Sequence, residues 1–99
     1  MSPRLDPEEE AVALQVGRNL CRCRQEVGMS VEEVARRAEL SRTTIHKIER
    51  GLRLPQIDTG VRLAGALGVE PDELMKGIAF RKPSSERPAG LYIRGRRQG

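Results

Sequence analysis

Aromatic residues are nearly missing from this chain: Phe80 and Tyr92 are the only two, and there is no tryptophan. The interior must therefore be built from Val, Leu, Ile, Ala and Met, a palette natural to helices. Cysteine is just as sparse. Cys21 and Cys23 stand two apart, so on one helix they point to different sides and do not readily bond to each other. Cys23 reads as core, Cys21 as partly exposed. A metal centre needs more ligands, and the single histidine, His46, is at the wrong place to join them, so neither metal nor cofactor is expected. His46 also lacks a nucleophile or carboxylate at a recognisable spacing, which argues against an enzyme. Long apolar runs are missing too. The start is acidic, the longest early run is Ala11 to Leu14, and nothing is long enough to cross a bilayer. The expected location is the cytoplasm, beside the chromosome, with no membrane contact. At 99 residues one core is expected, with little room for an enzyme cleft.

Positive charge is concentrated at one end. From Ala79 to Gly99 there are six basic residues and one acid, a net of +5; with +4 overall, the preceding residues carry −1. The overall charge is therefore no evidence for a basic domain surface, and the placement of individual cations decides.

What is present is a succession of helix signals. Asp6-Pro7-Glu8-Glu9-Glu10 combines a capping aspartate, proline at the first helical position and acids in the first turn, so the first helix is expected to begin at Pro7. Val12, Val16, Leu20, Cys23 and Val27 then form one apolar stripe until Gly28 ends the helix. Residues 29–51, MSVEEVARRAELSRTTIHKIERG, hold two more starts. Ser30 is placed to cap one helix with Glu33 closing a capping box and Met29 and Val34 as its staple; Ser41 is placed to cap the next, flanked by Leu40 and Ile45. Only Glu39 and Leu40 lie between, too few for anything but a tight helix-turn-helix. Val34, Ala38, Leu40, Ile45 and Ile48 are expected to face inward, with Ala35 small where the helix backbones cross.

Charge at the helix starts distinguishes this corner from an ordinary helical hairpin. Acids open every other expected helix: Glu8 to Glu10, Glu32 and Glu33, Asp58, and Asp72 with Glu73. The helix after Ser41 opens on Arg42, Thr43 and Thr44, leaving its positive end for an external phosphate. At 3.6 residues per turn, Arg42, Thr43, His46, Lys47 and Arg50 share the face opposite Ile45 and Ile48. Most charged faces are only solvated surface; the turn spacing and the missing acids together point to DNA.

These residues resemble the XRE family, the single-domain helix-turn-helix regulators of the phage lambda repressor and Cro type. The resemblance runs from about Val16 to Met75 through VGRNLCRCR, GMSVEEVARRAELSRTTIHKIERG, LRLP, IDTGVRLAGALGV and PDEL, in family order and spacing. It implies an all-α, compact five-helix lambda-repressor-like DNA-binding domain over residues 7–78, with its third helix in the major groove, a short extension at 1–6, no catalysis, and a homodimer on two-fold half-sites. Arg24 and Glu49 match a partly buried structural ion pair, and Gly51 matches a left-handed helix cap. Three positions depart from the pattern. Val31 stands where the family often has a glutamine that touches DNA or orients a reading side chain, Glu39 where the turn often has glycine, and Gly60 where the fourth helix has leucine. With Gly65, Gly60 is expected to soften that helix by about 0.5 to 1 kcal/mol per glycine.

The expected function is sequence-specific binding of double-stranded DNA as a transcriptional regulator, a repressor by preference. Arg42, Thr43, His46 and Lys47 are assigned to base edges, Arg42 and Lys47 as guanine readers, and Ser41, Thr44, Arg50, Arg53 and Gln56 to the backbone. Residues 79–99 are expected to be a basic, largely irregular tail with a strand-like Leu91-Tyr92-Ile93 patch. Its terminal position favours disorder; otherwise its arginines track phosphates, or the patch pairs with its copy or with another protein. The different reading is a protein-binding antitoxin or adaptor of the transcription machinery on the same fold.

Overall fold

The computed structural model describes residues 5–95. Four α-helices come first, α1 (Pro7–Glu26), α2 (Val31–Ala38), α3 (Arg42–Glu49) and α4 (Ile57–Leu67), and an antiparallel hairpin follows, β1 (Ile78–Arg81) with β2 (Gly90–Ile93). Among the described residues no helix is long and apolar enough to cross a membrane.

Local side-chain chemistry sets the helix starts. Asp6 accepts the Glu9 amide at 2.8 Å while the Glu9 carboxylate accepts the Asp6 amide at 3.2 Å, a complete capping box ahead of Pro7. Ser30 Oγ accepts the Glu33 amide at 3.1 Å. The other half of the expected box is not made there, because the Glu33 carboxylate turns to Arg37 and Arg36, 3.3 and 3.8 Å away. Val12, Val16, Leu20 and Cys23 are buried as one stripe, but Val27 is 44% exposed: α1 stops at Glu26, and Met29 packs against the core instead.

The turn between α2 and α3 forces the backbone into a left-handed conformation at Glu39, φ 57°. Its neighbour closes the helix end, the Leu40 amide donating to the Ala35 carbonyl at 2.9 Å. The exposed Glu39–Arg62 pair at 3.9 Å offsets little of that strain. Glu39→Gly is expected to stabilise the fold by about 1 kcal/mol, read as a rise in melting temperature of roughly 4 to 8 °C; an unchanged or lower melting temperature would show that the turn is unstrained.

Two expectations for the second half are corrected. The fifth helix is a single 3-10 turn, Pro71–Glu73. Asn19, 4% exposed in the middle of α1, donates to the carbonyls of Leu74 and Lys76, each at 2.9 Å, and accepts from Gln15 at 3.0 Å. Those carbonyls are thereby withdrawn from helical bonding, and left-handed Gly77 (φ 86°) turns the chain into β1. The tail, expected to be disordered, is instead folded back in part: the strand-like Leu91-Tyr92-Ile93 patch lies in β2 as expected, with residues 82–89 irregular between the strands. Ile78 pairs with Ile93, Ala79 with Tyr92, Phe80 with Leu91 and Arg81 with Gly90. Ala79 is buried, and Ile78 and Ile93 pack against the core. Arg81 reaches Glu8 in the first turn of α1 at 2.8 Å. The first turns of α1 thus carry the hairpin. Arg96 and Arg97 lie outside the described residues.

Candidate nucleic-acid interface

The α2–α3 corner is fastened from within. Val34, Ala35, Ala38, Ile45 and Ile48 are all buried, with Leu40 packed at their edge. Against α1 the close approach falls at Gly17, which sequence reasoning passed over: a Cβ there would stand 2.5 Å from the Ile48 carbonyl oxygen and 2.6 Å from that of Glu49. A glycine inside a long helix costs about 1 kcal/mol relative to alanine, and that unexplained cost was the available signal. Gly51 serves twice. Its φ is 73°, closing α3 with the Leu52 amide on the Lys47 carbonyl at 2.9 Å, and a Cβ would sit 2.6 Å from Leu14 Cδ2.

Arg24 and Glu49 meet as a fork. Nε donates to one carboxylate oxygen at 2.7 Å and Nη2 to the other at 3.1 Å, while Nη1 donates to the Met29 carbonyl at 3.0 Å. The Glu49 hydrogen bond holds the guanidinium pKa above its already high range, against the opposing pull of burial. One side chain therefore joins the end of α1, the start of the α2 segment and the end of α3. Cys21 lies at the edge of this cluster, its sulfur 3.8 Å from Arg24 Nη2. Cys23 is buried, which pushes its thiol pKa up.

Outside, α3 presents Arg42, Thr43, His46 and Lys47, all exposed, with Arg50, Arg53 and Gln56 exposed along the chain that follows. Its first turn contains no acid. Ser41 Oγ accepts the Thr44 amide at 3.1 Å and shares a 2.8 Å hydrogen bond with the Thr44 hydroxyl. That amide is already satisfied, so an anion at this helix end meets the amides of Arg42 and Thr43 first. Gln56 precedes α4 without capping it through its side chain, which leaves its amide group available. One contact was not foreseen. Glu32 of α2 reaches across to Arg42, Oε1 to Nη1 at 3.3 Å.

The helix-turn-helix family pattern HTH_3 matches residues 22–74, more than half of the chain, and spans α2, the turn and α3. The chain belongs to this XRE-type helix-turn-helix family of DNA-binding transcription regulators. Within the family it is 40% identical over 75 residues to the uncharacterized HTH-type transcriptional regulator y4dJ of Sinorhizobium fredii, covering 76% of this chain and 90% of that protein. The restriction-modification controller protein C.AhdI from Aeromonas hydrophila is 34% identical, with a TM-score of 0.61 over 63% of this chain and 94% of its own. The hypothetical transcription factor NHTF from Neisseria is 29% identical, with a TM-score of 0.63 over 76% and 86%.

Proposed function

We propose that this helix-turn-helix protein is an operator-binding repressor that works as a homodimer, each protomer laying α3 in the major groove. The carrying observation is the exposed, acid-free start of α3 with Arg42, Thr43, His46 and Lys47 projecting from a helix whose other side is wholly buried. Its eight residues give a length of roughly 12 Å at 1.5 Å per residue, comparable to the groove width of about 12 Å. Arg42 and Lys47 read guanine, Thr43 and His46 adjoining base edges. Ser41, Thr44, Arg50, Arg53 and Gln56 hold the flanking phosphates. Repression follows from occupying the operator.

An apolar face supports the homodimer. Ile57, 88% exposed, stands with Val61, Met75 and Leu91 around a groove of about 280 Å³ floored by Leu74 and Ile78. The hairpin pairs Phe80 with Leu91, so the segment after α4 and the Leu-Tyr-Ile patch form one surface. Protruding knobs beside a hollow on one patch suit a two-fold contact with a second copy, in which each surface meets itself. The face borders Gln56, which keeps the axis beside the DNA-contacting edge.

Selection from a random duplex pool at two salt concentrations tests this reading. A two-fold-symmetric site is expected from the full-length protein, and single half-sites from Val61→Glu. Weak binding without sequence preference that vanishes as salt rises would move the main activity to a protein partner of the antitoxin or adaptor kind.

A further inference from the structure

The missing acid at the start of α3 is not replaced by empty solvent. Glu32 lies in the first turn of α2, where a carboxylate suits the helix dipole. Its neighbour Glu33 is engaged by Arg36 and Arg37 on its own helix, whereas Glu32 crosses the corner to Arg42. The two side chains are 62% and 63% exposed. They therefore lie on the surface assigned to DNA, not beneath it.

A carboxylate on a DNA-binding face is a liability for every sequence alike, because it approaches phosphates of its own sign. Its effect on Arg42 is different. A guanidinium carries five N–H groups on a rigid plane, so an ion pair with Glu32 at Nη1 leaves the Nε–Nη2 edge free for the O6 and N7 of guanine. Fastened on both sides, Arg42 makes charge-assisted bonds in one orientation, and removal of water on groove insertion strengthens them. On any other base, Arg42 either stays with Glu32 or swings to a phosphate and strands the carboxylate beside the backbone. Both outcomes weaken binding. The exposed pair contributes little to the free protein, so the exchange is open to whatever DNA arrives.

Resting on the DNA-reading assignment above, we propose that Glu32 is a positioning residue that aims Arg42 at guanine and lowers affinity for all other DNA. It thus sets the ratio of specific to non-specific binding.

The test is Glu32→Gln, which keeps size and shape and removes the charge, measured in the full-length protein on the operator selected by the unsubstituted protein, on operators changed one base pair at a time, and on random duplex across a salt series. Random-duplex binding is expected to tighten, and the operator-to-random ratio to fall roughly tenfold, within the discrimination that one side chain–base contact provides. The lost preference is expected at a single guanine per half-site. In an Arg42→Ala background the same substitution is expected to leave the ratio unchanged. Retention of the ratio and of every base preference would overturn the proposal, as would equal weakening on both DNAs with a lower melting temperature, the signature of a purely structural carboxylate. If the unsubstituted protein selects no site, the DNA-reading assignment fails; if it selects one and Glu32→Gln preserves every preference, only the role of Glu32 fails.

Discussion

Arg42→Ala combined with Lys47→Ala is expected to lower operator affinity by roughly 10²- to 10⁴-fold per half-site and to leave the protein folded. Each guanine contact contributes about 1 to 3 kcal/mol of discrimination, and each 1.4 kcal/mol is a factor of ten. The fold survives because both side chains are exposed, the packed side of α3 is Ile45 and Ile48, and alanine is the better helix former. Anisotropy titrations on operator and random duplex, with a melting curve for each variant, make the comparison. The salt series adds a second discriminator. Side chains that read bases change specificity with little effect on the salt slope, whereas Arg50→Ala and Arg53→Ala are expected to reduce the slope by about one each and weaken all sequences alike. Sequence preference retained by the Arg42→Ala, Lys47→Ala protein would mean that the reading face lies elsewhere.

What was legible in the sequence follows the range of the interactions. The helix starts at Asp6, Ser30 and Ser41 are made by side chains bonding to amides three residues on, so a short window contains both partners. The tight turn at Glu39 and Leu40 was readable from its spacing, and the family resemblance marked Glu39, left-handed in the structure, as the place where glycine is usual. The chain beyond α4 was legible only in part. The expected fifth helix is cut short by Asn19, which reaches carbonyls 55 and 57 residues away, and the hairpin is fixed to α1 by Arg81 and Glu8, 73 residues apart. No periodicity encodes contacts of that kind. The interface shows the same division. Exposure of Arg42, Thr43, His46 and Lys47 follows from helical phase, but the ion pair between Arg42 and Glu32 depends on how two helices cross. The seating of α3 on α1 likewise depends on Gly17, whose missing side chain lets α1 lie on the last carbonyls of α3.

The largest effect on stability is expected at Arg24. Truncation to alanine leaves the Glu49 carboxylate without its fork in a site where the two side chains are only 16% and 12% exposed. Breaking one partner of a buried pair costs about 3 to 5 kcal/mol, a large part of the roughly 5 to 15 kcal/mol that holds a small domain together; residual water access places the expected loss toward the lower end. The Met29 carbonyl loses its donor as well. Urea unfolding of Arg24→Ala, Glu49→Ala and the double variant separates the contributions, and the double variant is expected to be more stable than the sum of the two losses predicts, because it leaves no stranded charge. A loss below about 1 kcal/mol for Arg24→Ala would class the pair with screened surface bridges and leave the α1–α3 contact to Gly17 and the apolar core. The double substitution Arg24→Met with Glu49→Leu carries the argument into function. It is expected to recover much of the stability through apolar packing. It also removes the fork that fixes the end of α3 against α1, so operator specificity is expected to remain below that of the unsubstituted protein even where the melting temperature returns. Full recovery of both would show that packing alone sets the angle of the reading helix, and that the buried charges contribute nothing to where Arg42 and Lys47 point.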